Sequence, residues 1–237
     1  MGMSKRPLFF DLDHTLWDFE TNSRLALRLG HQEMNLEGVG AEDVEAWIAA
    51  YEKANEWCWA QFRSGHLDKE TLRSLRFKMA FEGLGINANQ GVCEALGEHY
   101  IRTSPFQTTL IPGTIDVLRE LQNRGHLMVI LTNGFEEVQH IKVENSGLSP
   151  FFSGVYTSDA LGVKKPNPLA FERAALKSGV SMDSGAVMIG DSIESDVEGA
   201  INAGWEAVHF DPAGDAKSGD WHTIQNLAEL LELPLEL

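Results

Sequence analysis

Leu8-Phe9-Phe10-Asp11-Leu12-Asp13-His14-Thr15 is a short apolar run closed by two aspartates. Large apolar residues in unbroken succession predict a strand buried on both faces, as in a parallel sheet. At an extended strand end, residues i and i+2 point to the same side, so Asp11 and Asp13 are expected to converge on one spot. Two carboxylates there suit Mg²⁺, which takes hard oxygen ligands. Aspartates also terminate strands and open turns, so this stretch alone leaves both readings standing.

Further apolar runs follow at Leu127 to Leu131, Gly154 to Tyr156, Ala186 to Ile189 and Ala207 to Phe210. Between them lie apolar stripes of helical spacing, each closed by a glycine or proline. These are Ile115, Leu118 and Leu121 before Gly125, then Ala170, Phe171, Ala174 and Ala175 before Gly179. Val197, Ala200 and Ile201 precede Gly204, and Ile224, Leu227, Leu230 and Leu231 precede Pro234. Strands alternating with amphipathic helices predict an α/β fold, a Rossmann-like parallel-sheet core covered on both faces.

One interval breaks that rhythm. Between the first strand and Pro112 the periodicity predicts only helices, over 20–36, 41–64, 68–82 and 88–102, with Asp68 as an N-cap. An all-helical insertion at this point is expected just outside the strands' carboxyl ends, where such sheets bind ligands. The predicted division is a core of 1–16 and 105–237 with a helical cap of 17–104. A helical domain serving only folding or assembly is the plainer alternative.

Three more segments carry candidate chemistry at strand ends. Leu131-Thr132-Asn133-Gly134 offers a hydroxyl, a side-chain amide and backbone N–H groups with a helix to follow, a possible cradle for phosphate oxygens and equally a common turn. Gly162-Val163-Lys164-Lys165-Pro166 places two lysines before a helix start. Ile189-Gly190-Asp191-Ser192, with Glu194 and Asp196 behind it, again sets acids at a strand end, as metal ligands or as helix caps.

Composition bounds the partners. The 237 residues carry 19 Lys and Arg against 35 Asp and Glu, a net charge of −16, with 43% hydrophobic residues. That is an ordinary globular composition. The acid excess excludes a broad nucleic-acid or anionic-membrane surface, both of which need basic faces. Cys58 and Cys93 match neither a disulfide framework nor a zinc site, and are expected to be reduced thiols of a cytoplasmic protein. After Lys5, Arg6 and Pro7 only Leu-Phe-Phe precedes Asp11, too short for a signal-peptide core.

Taken in order, Asp11-Leu12-Asp13-His14-Thr15, Thr132, Lys165 and Gly190-Asp191-Ser192-Ile193-Glu194-Ser195-Asp196 resemble the four motifs of the haloacid-dehalogenase-like hydrolase superfamily, in its phosphatase majority. The insertion resembles the C1-type cap between motifs one and two. The resemblance implies two-step phosphoryl transfer through an aspartyl-phosphate. Asp11 would be the nucleophile, and Asp13 the acid that protonates the leaving oxygen and then the base that activates water. The closeness of the two carboxyl groups is expected to favour one proton shared between them. Thr132, Lys165 and the Asn133 amide would hold phosphoryl oxygens. Asp11, the Asp13 carbonyl and Asp191 would bind Mg²⁺, with Asp196 as an outer ligand. Lys165 is expected to be the catalytic lysine, because the family places it directly before the proline. An acid at Asp13 also favours phosphate esters, since the family's dehalogenases lack one there.

Trp57, Gly65, Leu72, Arg76 and Phe77, with the span Asp11 to Trp17, are similar to a bacterial pyrimidine 5′-nucleotidase branch. The expected substrate is a small phosphorylated metabolite, a nucleoside 5′-monophosphate. A phosphoglycolate or sugar-phosphate phosphatase, a phosphosugar mutase and a non-catalytic binding module are the alternatives. Trp57 or Trp59 could stack on a base, and Arg63, His66, Arg73 and Arg76 could meet a polar substrate, though cap aromatics more simply pack helices together. Phe106, Phe151, Phe152 and Trp205 could be core or interface, so monomer and homodimer both stay open. His14 is taken as a turn residue.

Overall fold

The structure, a computed structural model, describes residues 5–215 and 219–234 and falls into two compact units. Residues 1–4 of the amino-terminal stretch considered above lie outside the described residues. The first unit comprises Met1–Phe19 with Thr108–Leu237, and the second Glu20–Gln107. Trp17 belongs to the first unit, fully buried in its core and bridged to Leu110.

Six parallel strands form one sheet: β1 (Leu8–Phe10), β2 (Met128–Thr132), β3 (Val155–Thr157), β4 (Val187–Gly190), β5 (Glu206–Phe210) and β6 (His222–Ile224). Their order is β3-β2-β1-β4-β5-β6. Strand alternation sends Leu8, Phe10, Met128, Ile130, Val187 and Ile189 to one face. Phe9, Val129, Leu131 and Met188 go to the other. The first face is covered by α5 (Thr114–Asn123) and Val143 of α6 (Glu136–Asn145), the second by Leu161 of α7 (Ser158–Leu161) and by α8 (Pro168–Lys177). Both faces are buried, so the strands read as unbroken apolar runs. The strand order reverses between β1 and β4, and ligands of such sheets bind beyond the carboxyl ends at that point.

β6 went unforeseen, and the stripe Ile224, Leu227, Leu230, Leu231 is not one helix. Asn226 and Glu229 form a capping box that starts a 3₁₀ helix, Leu227–Glu232, leaving Ile224 in the strand before it. Likewise the stripe Val197, Ala200, Ile201 spans a π-helix, Ile193–Glu198, and a short α9, Gly199–Asn202. Ile201 is exposed there.

The second unit holds α1 (Phe19–Glu33, whose first residue belongs to the first unit), α2 (Val44–Arg63), α3 (Lys69–Gly83) and α4 (Gln90–Thr103). Asp68 caps α3 by accepting from Thr71 N at 2.8 Å. Trp47, Tyr51, Phe77, Phe81, Cys93 and Tyr100 make its core. Cys58 and Cys93 are buried free thiols. Trp205 is core too, 4.5 Å from the Phe9 ring and 5.3 Å from Phe171 between centroids, whereas Phe106 is exposed. Among the described residues no helix is long and apolar enough to cross a membrane.

Candidate active site

Asp11 follows β1 directly, and its N–H donates to Ile189 O of β4 at 2.8 Å, fixing it between the two central strands. Its Oδ1 accepts from Lys165 Nζ at 2.7 Å. The same ammonium donates to Asp196 Oδ1 at 2.6 Å and to Leu131 O at 2.7 Å, so its three hydrogens are all used. Of the two lysines before Pro166, Lys165 is therefore the one brought to Asp11, while Lys164 is only half-buried.

Asp196 sits inside the π-helix, where both Asp196 N and Val197 N donate to Ser192 O. Single π turns inside helices often mark functional sites. This one returns Asp196 Oδ2 to Ser192 N at 3.1 Å. Asp191 is oriented by Thr15 Oγ1, which donates to its Oδ1 at 3.3 Å, and by His209 Nε2 against its carbonyl at 2.9 Å. One carboxylate oxygen each from Asp11, Asp191 and Asp196 lie within 4.8 Å of one another.

Three carboxylates thus face one ammonium. Burial pushes the Asp11 carboxyl well above its usual range; Lys165 opposes this, while Asp196 and Asp191 add to it. Burial, with Asp196 next, lifts Asp191 to about 7. Burial alone would lower Lys165, but Asp11 and Asp196 outweigh it and hold the lysine at about 12. The surplus negative charge, concentrated on hard oxygens at a strand-end crevice, fits a divalent cation such as Mg²⁺.

Thr132 closes β2. Its Oγ1 accepts from Gly134 N at 3.1 Å and from Gln139 Nε2 at 2.8 Å. The Asn133 side chain is bonded on both atoms: its Nδ2 donates to Lys165 O and its Oδ1 accepts from Lys165 N, both at 2.9 Å. The side chain thus grips the lysine's backbone.

Asp13 lies in the turn that follows β1. The turn begins at Leu12, whose carbonyl accepts from Leu16 N and Trp17 N, and His14 takes the left-handed conformation at φ 63°. The i, i+2 alternation of a strand therefore does not run through Asp13. Asp13 has donors of its own, separate from the Lys165 ammonium that serves Asp11 and Asp196. Lys142 Nζ donates to Asp13 Oδ1 at 2.5 Å and Gln139 Nε2 to Oδ2 at 2.9 Å. The Asp13 carboxylate is not among the three clustered oxygens.

Gln139 and Lys142, both buried on α6, were missed in the sequence. Thr15 lies within the first motif but was given no role, and His209 was missed. In the helical unit Arg76 is committed internally: it bonds Asn55 Oδ1 at 3.0 Å and lies over the rings of Tyr51, Phe77 and Tyr100 at 4.7–5.6 Å. Trp57 is exposed.

Comparison with known proteins follows the same lines. Residues 7–204 match the family model of haloacid dehalogenase-like hydrolases. The chain is 30% identical to pyrimidine 5′-nucleotidase YjjG of Escherichia coli K12 over 233 residues, 95% of this chain and 96% of that protein. It is 30% identical to pyrimidine 5′-nucleotidase PynA of Streptococcus pneumoniae R6 over 86% of this chain and 83% of that one. The crystal structure of the putative hydrolase YfnB of Bacillus subtilis, described as bound to magnesium, superposes with a TM-score of 0.84 at 28% identity, covering 96% of this chain and 97% of that one.

Proposed function

Because the chain belongs to the haloacid dehalogenase-like hydrolases, we propose that it hydrolyses phosphate monoesters through an aspartyl-phosphate on Asp11, with nucleoside 5′-monophosphates, pyrimidines foremost, as the substrate class. The observation that carries the phosphatase reading is the pairing of a lysine-held carboxylate, Asp11, with a second carboxylate two residues on, Asp13, that has its own donors.

In the first step an Asp11 oxygen attacks phosphorus and the ester P–O bond breaks. Its electron pair goes to the ester oxygen, which takes a proton from Asp13, so an alcohol leaves. In the second step water attacks the same phosphorus and gives its proton to Asp13. The bond to Asp11 breaks, and inorganic phosphate departs. Thr132 binds the phosphoryl oxygens, and Lys165, with a bound cation beside it, would favour the ionised form of Asp11 against the effect of burial. Asp11, the Asp13 carbonyl and Asp191, with Asp196 adjoining, are the residues to hold Mg²⁺. The bound ion would offset the charge of the arriving phosphoryl group.

The nucleotide preference is supported by the likeness to YjjG and PynA, and the helical unit 20–107 is proposed as the substrate-selecting cap. A panel of phosphate esters assayed with Mg²⁺ tests the reading. Pyrimidine nucleoside monophosphates should give the highest kcat/KM. Dominance of phosphoglycolate or a sugar phosphate overturns the substrate, and no turnover on any ester overturns the activity.

A further inference from the structure

We propose that Gln139 and Lys142 are positioning residues of this site, which from one face of α6 fix the Asp13 carboxylate for proton transfer and turn the Thr132 hydroxyl proton toward the phosphoryl group. The inference rests on the phosphatase reading above and names what makes its acid–base step work.

The two residues are three apart on a helix and so share a face. That face is buried although it carries a Gln and a Lys, with Gln139 at 0% and Lys142 at 3% exposure. Burying an amide NH2 and an ammonium is costly unless each is matched, and here Gln139 Nε2 and Lys142 Nζ both meet Asp13, while Gln139 Oε1 has no hydrogen-bond partner. The ammonium also lies 4.0 Å from the Trp17 ring centroid and 5.6 Å from that of Phe19, so it is enclosed between a carboxylate and two aromatic faces.

Hydrogen-bond accounting assigns the amide. Both hydrogens of Gln139 Nε2 are spent, on Asp13 Oδ2 and on Thr132 Oγ1. A carboxylate accepts only, so Nε2 and not Oε1 must face Asp13. Thr132 Oγ1 then accepts twice, from Gln139 and from Gly134 N, and its own proton is left to donate outward. Gly134 belongs to the same device, since a methyl group there would overlap the Gln139 amide. One glutamine thus links the acid–base carboxylate to the phosphate-binding hydroxyl.

The test uses Lys142→Met, Lys142→Arg and Gln139→Leu in the full chain, with thermal unfolding to check that each folds. Each variant is assayed on 4-nitrophenyl phosphate, whose leaving group departs unprotonated, and on an alkyl phosphate that the wild type hydrolyses. Single-turnover release of the leaving group is measured for both esters. Lys142→Met and Gln139→Leu should slow release from the alkyl ester about ten- to a hundredfold more than from the aryl ester. KM should change little for Lys142→Met, and Lys142→Arg should recover much of the loss. Should Lys142→Met fail to fold, Gln139→Leu against Lys142→Arg carries the comparison. Equal losses on both esters, a loss in KM alone, or no loss in a folded variant overturns the positioning role while leaving the phosphatase reading intact. A wild type inactive on every ester overturns both.

Discussion

The side chain of Asn133 is paired twice with the backbone of Lys165, donating to its carbonyl and accepting from its N–H at 2.9 Å each. The strand end of β2 is thereby fastened to the segment that delivers the lysine to Asp11. Asn133→Ala should leave the fold intact, because the contact is local. It should lower kcat on a phosphate ester about ten- to a hundredfold, the usual cost of a misplaced catalytic group. Asn133→Asp keeps the acceptor and loses the donor, and should fall between. Wild-type kinetics in Asn133→Ala would show that the lysine is positioned by its side-chain bonds alone.

Gly190 tests the other end of the cluster. A methyl group on it would overlap the Asp196 carboxylate, which is held by Lys165 and by Ser192 N. Gly190→Ala should cost about 1–3 kcal/mol of stability through overpacking. It should also weaken Mg²⁺ binding, measured by calorimetry. Unaltered binding would place Asp196 outside the metal's influence.

The acid cluster predicts how stability depends on pH. Asp191 is raised by burial from the ordinary 3.8 to about 7, and Asp11 shifts in the same direction. Folding therefore favours their protonated forms. Without metal, this contribution is complete below about pH 4 and is lost as pH rises through about 7. Lys165, at about 12, stays charged throughout. A divalent cation favours the ionised carboxylates, so the Tm difference between saturating Mg²⁺ and chelator should widen from pH 5 to pH 8. Proton release on Mg²⁺ binding should be larger at pH 6 than at pH 8. A Tm difference independent of pH would contradict this account of the cluster.

What the sequence made legible follows from periodicity. The runs of β1 to β5 are mainly apolar and so stood out; Asp11, Thr132 and Asp191 each close or follow such a run, whereas Lys165 was singled out by its place directly before Pro166. β6 is short, and its His222 and Thr223 are exposed at the sheet edge, which leaves no apolar signal. In α6 the inward face is Gln139, Lys142 and Val143, so the helix shows almost no apolar stripe. The residues that bind Asp13 therefore look like surface polar groups. The only local hint was the i, i+3 spacing of an amide and a cation in the helix after Thr132. The Gln139 and Lys142 partners of Asp13 could not be read from strand alternation, because the turn begins at Leu12.

On the proposed mechanism the two halves of the reaction fall to separate groups: Lys165 and Asp11 would serve attack, and Lys142, Gln139 and Asp13 proton transfer. Asp11→Asn should lose turnover of every ester while remaining folded. Asp13→Asn should still be phosphorylated by an aryl ester, whose leaving group needs no proton, but should hydrolyse the product slowly.

The most direct measurement is therefore mass spectrometry of Asp13→Asn after incubation with 4-nitrophenyl phosphate and Mg²⁺, followed by peptide mapping. The account predicts one phosphoryl group per chain, on Asp11. A phosphoryl group on another residue, or Asp11→Asn protein that still turns over ester, would contradict it.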